Sequence, residues 1–236
     1  MPITGPMASP ETPRISLWQV SLDLPPPQLR VFAATLSPEE QARADLYPDP
    51  VQRNRAIAAR GWVRELLGEA TGISPRALSF RIDSHGKPHV LDASVSFNLT
   101  HTGPLALMAI TPGTLPVGVD LERLDRIVHP APIVRRFFSE REIAAFEAIP
   151  EAEQTGTFFR MWTRKEAFVK GLGVGIADHL RQFDVATGEA ANGLVESRIG
   201  GEPASAWCLR DLNVVPGHAA AIAVRASTFR MDIMHQ

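Results

Sequence analysis

The sequence predicts an α+β (α/β) protein: a pseudo-twofold pair of similar halves, each an antiparallel sheet packed by helices, with a ligand cleft between them. Three observations support this. The same order of helix and strand signals occurs twice, offset by about 100 residues. A Pro- and Gly-bearing break, "TPGTLP" at 111–116, separates the two occurrences. A chain of 236 residues, 44% hydrophobic and 21% charged, can bury the core that two small packed units need. The expected division is a flexible segment at 1–14, a first half at 15–113 and a second half at 114–236.

In chain order, "MPITGPMASPETPR" has no apolar stretch and reads as a flexible lead without a targeting signal. "LSPEEQARADLY" (36–47) carries the S-x-x-E capping signal of an amphipathic helix, and "ARGWVRELLG" (59–68) continues as a second one. "HGKPHV" (85–90) places Lys87 in a turn. "SVSFNLTHTGPLALMAI" (94–110) reads as strand, tight turn, strand. Past the break, "VGVDLE" (117–122) is a strand, and then the series repeats. "FSEREIAAFEAI" (138–149) has the same capping signal. "FRMWTRKEAF" (159–168) matches 59–68 with Arg60/Arg160, Trp62/Trp162 and Arg64/Arg164 in register. "RQFDVA" (181–186) resembles "LSFRID" (78–83), and the closing apolar strand "AAAIAVR" matches "LALMAIT".

Composition narrows the partners. Net charge −2 and pI near 6.4 supply no general basic field for nucleic acid or anionic membrane. The longest apolar runs are too short to span a bilayer, so the cytoplasm is the expected location. The lone Cys208 excludes an internal disulfide and reads as a core residue. A chain that supplies both halves of its own cleft is expected to act as a monomer. Of 24 Lys and Arg residues only Lys87, Lys165 and Lys170 are Lys, a bias that suggests compact point charges are wanted at those positions.

Chemistry enters with "FFRMWTRKEAFVKGLG" (158–173). At 3.6 residues per turn, Phe158, Phe159, Met161, Trp162, Phe168, Val169 and Leu172 share one half of a helix. Lys165 and Glu166 lie inside that arc, where a charge needs a partner: either a local ion pair at a helix rim or a functional site. In "VGVDLE", Val117, Val119 and Leu121 face the core while Asp120 and Glu122 share the other face. Two such carboxylates suit Mg²⁺, although a D-x-E alone is more often a solvated strand edge. Glu166 would complete a metal site if its helix lay over this strand. Lys87, Asn98, Thr100 and His101 could form a phosphate grip, although a single His is more often structural. Arg43, Arg53, Arg55 and Arg60 form a helical arginine run of the kind that usually faces solvent.

The order of these motifs resembles one family. "GKP" (86–88), "NLTHT" (98–102), "GVDLE" (118–122), "FFSERE" (137–142) and "WTRKEAFVK" (162–170) follow the motif series of the Sfp-type 4'-phosphopantetheinyl transferases, over roughly residues 36–225. The resemblance implies a pseudo-dimer of two α/β halves that moves the phosphopantetheine arm of coenzyme A onto a serine of an apo acyl or peptidyl carrier protein. It implies Mg²⁺ on Asp120, Glu122 and Glu166, and a catalytic set of Glu166, Glu122 and Lys170 in which Glu166 is the preferred base. Lys87 and Lys170 would contact the diphosphate or the nearby ribose phosphate, and Lys165 would sit at the cleft. Thr100 and His101, with Arg43 and either Arg53 or Arg55, would receive the adenosine 3'-phosphate. Glu40 and Ala56 depart from the family pattern, standing where some members carry a lysine and a threonine, and Thr100 replaces a commoner serine. A Mg²⁺-dependent phosphodiesterase acting on coenzyme A could use the same acids and lysines with water as nucleophile; the other alternative is an inactive carrier- or coenzyme A-binding homologue, against which the retention of all three carboxylates and both helix lysines argues.

Overall fold

The computed structural model of the chain describes residues 12–91, 94–175, 179–190 and 192–236. Most of the expected flexible lead, residues 1–11, lies outside the described residues, and Arg14 already opens the first strand. The elements are β1 (Arg14–Ser21), α1 (Pro26–Ala33), α2 (Pro38–Asp45), α3 (Pro50–Thr71), β2 (Phe80–Ile82), β3 (Pro88–Val90), β4 (Val95–Thr102), β5 (Leu105–Pro112) and β6 (Val117–Arg123). They continue with α4 (Pro130–Phe137), α5 (Glu140–Glu147), α6 (Glu151–Leu172), β7 (Phe183–Val185), β8 (Leu194–Ser197), β9 (Cys208–Asp211), β10 (His218–Val224) and β11 (Arg230–His235). No helix among the described residues is long and apolar enough to cross a membrane.

Local rules start and stop the helices. Ser37 and Ser139 each cap a helix through the N3 backbone, with Glu40 and Glu142 reaching back to close the box. The two long helices, α3 and α6, both end on a left-handed glycine, Gly72 (φ 73°) and Gly173 (φ 71°), which accepts that conformation without a Cβ clash. α6 begins at Glu151, well before the apolar stripe at Phe158.

The repeat is also visible in how each capping glutamate is held. Arg64 Nε lies 2.7 Å from Glu40, and the Arg64 guanidinium lies over Phe80. Lys165 Nζ lies 2.7 and 2.8 Å from the Glu142 oxygens, and the ammonium lies over Phe183. The cation has shifted by one position between the copies, since the sequence register aligns Arg64 with Arg164. Arg164 instead forks onto Asp211 at 2.7 and 2.6 Å. Glu40, a departure from the family pattern, is thus occupied structurally.

Packing gives four layers. Trp62, Val63, Leu66 and Leu67 of α3 bury against Phe97, Ala106, Met108 and Ile110 on one face of a four-stranded sheet, β11-β1-β5-β4. The opposite face presents Ile15, Leu17, Leu107 and Ala109 to Val117, Val119, Leu121, Ile222 and Val224 of a three-stranded sheet, β6-β10-β9. Ala167, Phe168 and Val169 of α6 cover the far side of that second sheet, with Ala221, Ala223 and Leu209. Residues alternate between cores along β5 and β10, the period-two pattern of strands buried on both faces.

The chain departs from its expected division in one respect. β11 leaves the second half and joins the first sheet, pairing in parallel with β1 from Arg14↔Arg230 to Gln19↔His235. Phe229, buried in the core between the sheets, anchors the crossing. Residues 114–236 therefore do not form a closed unit, and the first sheet is not purely antiparallel.

Candidate active site

The site is built where α6 lies on β6. Gly118 allows the contact, because a Cβ there would stand 2.1 Å from the Ala167 carbonyl oxygen and 2.3 Å from the Gly171 nitrogen. With no side chain between them, helix and strand sit close enough for Lys170 Nζ to reach Asp120 Oδ1 at 2.5 Å and Thr100 Oγ1 at 3.3 Å. Thr100 Oγ1 in turn donates to Asp120 Oδ1 at 3.2 Å. The edge strand β4 is held beside β6 by Asn98, whose Oδ1 accepts the Val119 N–H at 2.8 Å, in place of a backbone ladder.

The three expected metal ligands converge here electrostatically. Glu166, 6% exposed, is raised to about 7, first by burial and then by the Asp120 charge, with Glu122 adding to it and Lys170 opposing. Glu122 also pairs with Arg126 across one turn of chain. Asp120 Oδ2 is buried and has no hydrogen-bond partner among the described residues. Among the described residues no group of three or more His, Cys, Asp or Glu is close enough to hold a metal ion; an ammonium and a guanidinium stand against two of the carboxylates. An all-oxygen donor set with one buried lone oxygen nonetheless fits a hard cation that keeps open positions for phosphate.

Beside the acids is a cavity of about 630 Å³, within the usual range for a small-molecule site, lined in part by Arg43, Tyr47, Arg60, Phe97, Asn98 and His101. Burial pushes the Arg60 guanidinium down, and it makes no hydrogen bond to the protein among the described residues. His101, exposed at the mouth, is held below its ordinary value by desolvation and by Lys170, Arg55 and Arg60.

Several expected ligands are placed elsewhere. Arg53 turns to the Tyr47 carbonyl at 3.0 Å and does not line the cavity. Arg55 forks onto Asp23 at 2.7 and 2.9 Å, near His101 but already paired. Thr100 belongs to the acid cluster, not the cavity. Lys165 is fully buried; Glu142 and the Phe183 carbonyl, 2.9 Å away, take its donors, so it does not reach the cleft. Lys87 donates to main-chain carbonyls. The resemblance gives Arg60 no role, yet its signal was readable: Ala56, Ala59, Arg60 and Val63 form a helical stripe of cavity-facing positions. Arg126 carried no such periodic signal.

Comparison with known proteins places the chain in a family. A model of the 4'-phosphopantetheinyl transferase superfamily matches residues 116–224, which include β6 and α6. The chain is 35% identical over 225 residues to the 4'-phosphopantetheinyl transferase HetI of Nostoc sp., covering 94% of this chain and 92% of that protein. It is 26% identical to the 4'-phosphopantetheinyl transferase Sfp of Bacillus subtilis, over 86% of this chain and 88% of the relative. A mouse L-aminoadipate-semialdehyde dehydrogenase-phosphopantetheinyl transferase is 27% identical over 81% of this chain and 67% of its own length. On the acid cluster, its neighbouring cavity and these likenesses together, the chain belongs to the 4'-phosphopantetheinyl transferase superfamily and is an enzyme of that type.

Proposed function

We propose that the chain transfers the 4'-phosphopantetheine of coenzyme A to a serine of an apo acyl or peptidyl carrier protein, with residues 15–113 supplying the coenzyme A side and 114–236 the acids. The observation that carries the reading is the acid cluster of buried Asp120 and Glu166 with half-buried Glu122, one carboxylate oxygen of which has no partner among the described residues, next to a cavity bearing Arg43, Arg60 and His101. The cavity cations take the adenosine and its 3'-phosphate, a dianion suited to guanidinium forks. Lys170, 28% exposed at its side chain, turns its ammonium to the diphosphate. Asp120, Glu122 and Glu166 would hold Mg²⁺, which when bound supplies neutralisation of the charge that grows on the leaving group.

Glu166 takes the serine proton, directly or through water, with Glu122 as the second choice. The serine Oγ forms a bond to the pantetheine-bearing phosphorus. The bond from that phosphorus to the bridging oxygen breaks, and adenosine 3',5'-bisphosphate leaves. The same reading has a cytoplasmic enzyme that works as a monomer, without nucleic acid or membrane partners; light scattering checks the monomer.

The test is intact-mass spectrometry of an apo carrier domain incubated with the protein, coenzyme A and Mg²⁺, beside an EDTA control. Gain of one phosphopantetheinyl group only with metal is expected. Release of phosphopantetheine without a modified carrier would instead indicate a phosphodiesterase.

A further inference from the structure

The turn between β2 and β3 lies against the last turn of α6. Gly173, the helix cap, would bring a Cβ within 3.5 Å of the Lys87 stem and 3.6 Å of Asp83. The turn is itself tied down. Asp83 Oδ1 accepts the backbone N–H of His85 and of Lys87, both at 2.9 Å, and Asp83 Oδ2 meets His89 Nε2 at 2.9 Å. From this rigid base Lys87 Nζ donates to three carbonyls: Lys170 at 2.5 Å, Val117 at 3.1 Å and Gly171 at 3.2 Å.

An ammonium has three donors, and all three are used. Two acceptors belong to the end of α6, whose last carbonyls lack intrahelical partners and carry the negative end of the helix dipole. The third is at Val117, which opens β6 next to the Gly118 contact. The backbone of Lys170 is therefore gripped by Lys87 while its side chain reaches Asp120. The resemblance would put Lys87 on the diphosphate, but every donor it could offer is already engaged.

We infer that Lys87 is a positioning residue: a cap reaching from the first half that clamps the end of α6 to the start of β6, and so sets where Lys170 and Glu166 stand against Asp120. Burial of the ammonium, which pushes it down to about 8, agrees with a group that meets carbonyls instead of solvent or phosphate. The consequence for catalysis rests on the transferase reading above.

Two variants test it: Lys87→Met, which keeps the apolar stem without donors, and Lys87→Arg, whose planar fork keeps the charge but cannot meet three converging carbonyls. The measurements are coenzyme A affinity by calorimetry in EDTA at low and high salt, amide exchange over residues 168–173, and kcat for carrier modification. A clamp predicts that both variants bind coenzyme A within about threefold of wild type, exchange at least tenfold faster at the end of α6, and lose at least tenfold in kcat. The inference is overturned if Lys87→Met loses more than tenfold in affinity in a salt-sensitive way, Lys87→Arg restores it, and exchange in α6 is unchanged. Should the wild type modify no carrier, the transferase reading fails on that count alone, while affinity and exchange still decide the clamp.

Discussion

Replacing Gly118 with alanine adds one methyl group at the point where strand and helix touch. That methyl would meet backbone, not adaptable side chain: Ala167 O at 2.1 Å, Gly171 N at 2.3 Å and Gly171 Cα at 2.9 Å. Comfortable separation for such atoms is about 3.5 Å, so α6 must rise from β6 by roughly 1 Å or more. Overpacking of this kind costs about 1–3 kcal/mol. For a chain of this size that lowers Tm by roughly 2–4 °C per kcal/mol. The larger effect is on chemistry, since the same lift pulls Lys170 and Glu166 away from Asp120, and a misplacement near 1 Å costs about 100-fold in rate. Thermal melts and kcat/KM on a carrier domain should therefore separate: a modest loss in Tm with a near-complete loss of transfer. Gly156→Ala, in the same helix with nothing within 4 Å of the added carbon, is the control and should gain about 0.5–1 kcal/mol without loss of rate. A Gly118→Ala protein with wild-type Tm and rate would refute the reasoning.

Glu166 sets a pH dependence in metal-free protein. Its acid sits at about 7 when folded against an ordinary 4.5, so the stability it contributes is whole below about 4.5 and is lost as pH rises through 7. Urea titrations in EDTA should show wild type losing a few kcal/mol relative to Glu166→Gln between pH 4.5 and 8; parallel curves would contradict this. Arg60→Ala should weaken coenzyme A binding about 10- to 100-fold by calorimetry, the worth of a hydrogen bond to a charged group, while Arg53→Ala changes it less than threefold. Lys165→Met, which strands the buried Glu142 carboxylate, should cost about 3–5 kcal/mol in urea unfolding, with the Lys165→Met/Glu142→Gln double variant recovering part of the loss.

What could be read from the sequence followed the range of the interactions. The capping boxes at Ser37 and Ser139 involve residues three apart, so their signature is complete within a few letters. The shared face of Asp120 and Glu122 follows from strand alternation, and the glycine ends of α3 and α6 from the need for a left-handed residue. Lys165 was legible as a charge in need of a partner. The partner, Glu142, lies 23 positions away and is chosen by packing, which periodicity does not encode. Lys87 meets carbonyls 83 and 84 residues on, groups that every residue carries and that no letter marks. The arginine run was visible as a run only. Which members face the cavity depends on where α2 and Tyr47 settle on α3.

The crossing of β11 into the first sheet also bears on how the chain is made. Arg14 and Asp232, paired across that sheet, are 218 positions apart, so β1 waits for one of its two neighbours until nearly all the described chain has been synthesised. On the ribosome the first half can collapse around α3, β4 and β5, but its outer edge stays open until the second half has folded and delivered the closing strand. An open edge that lingers is a template for wrong pairing. Long-range contacts of this kind slow folding because the loop must close before they contribute anything. Yield and solubility on expression should therefore respond to changes in β11 more sharply than its distance from the acids would suggest.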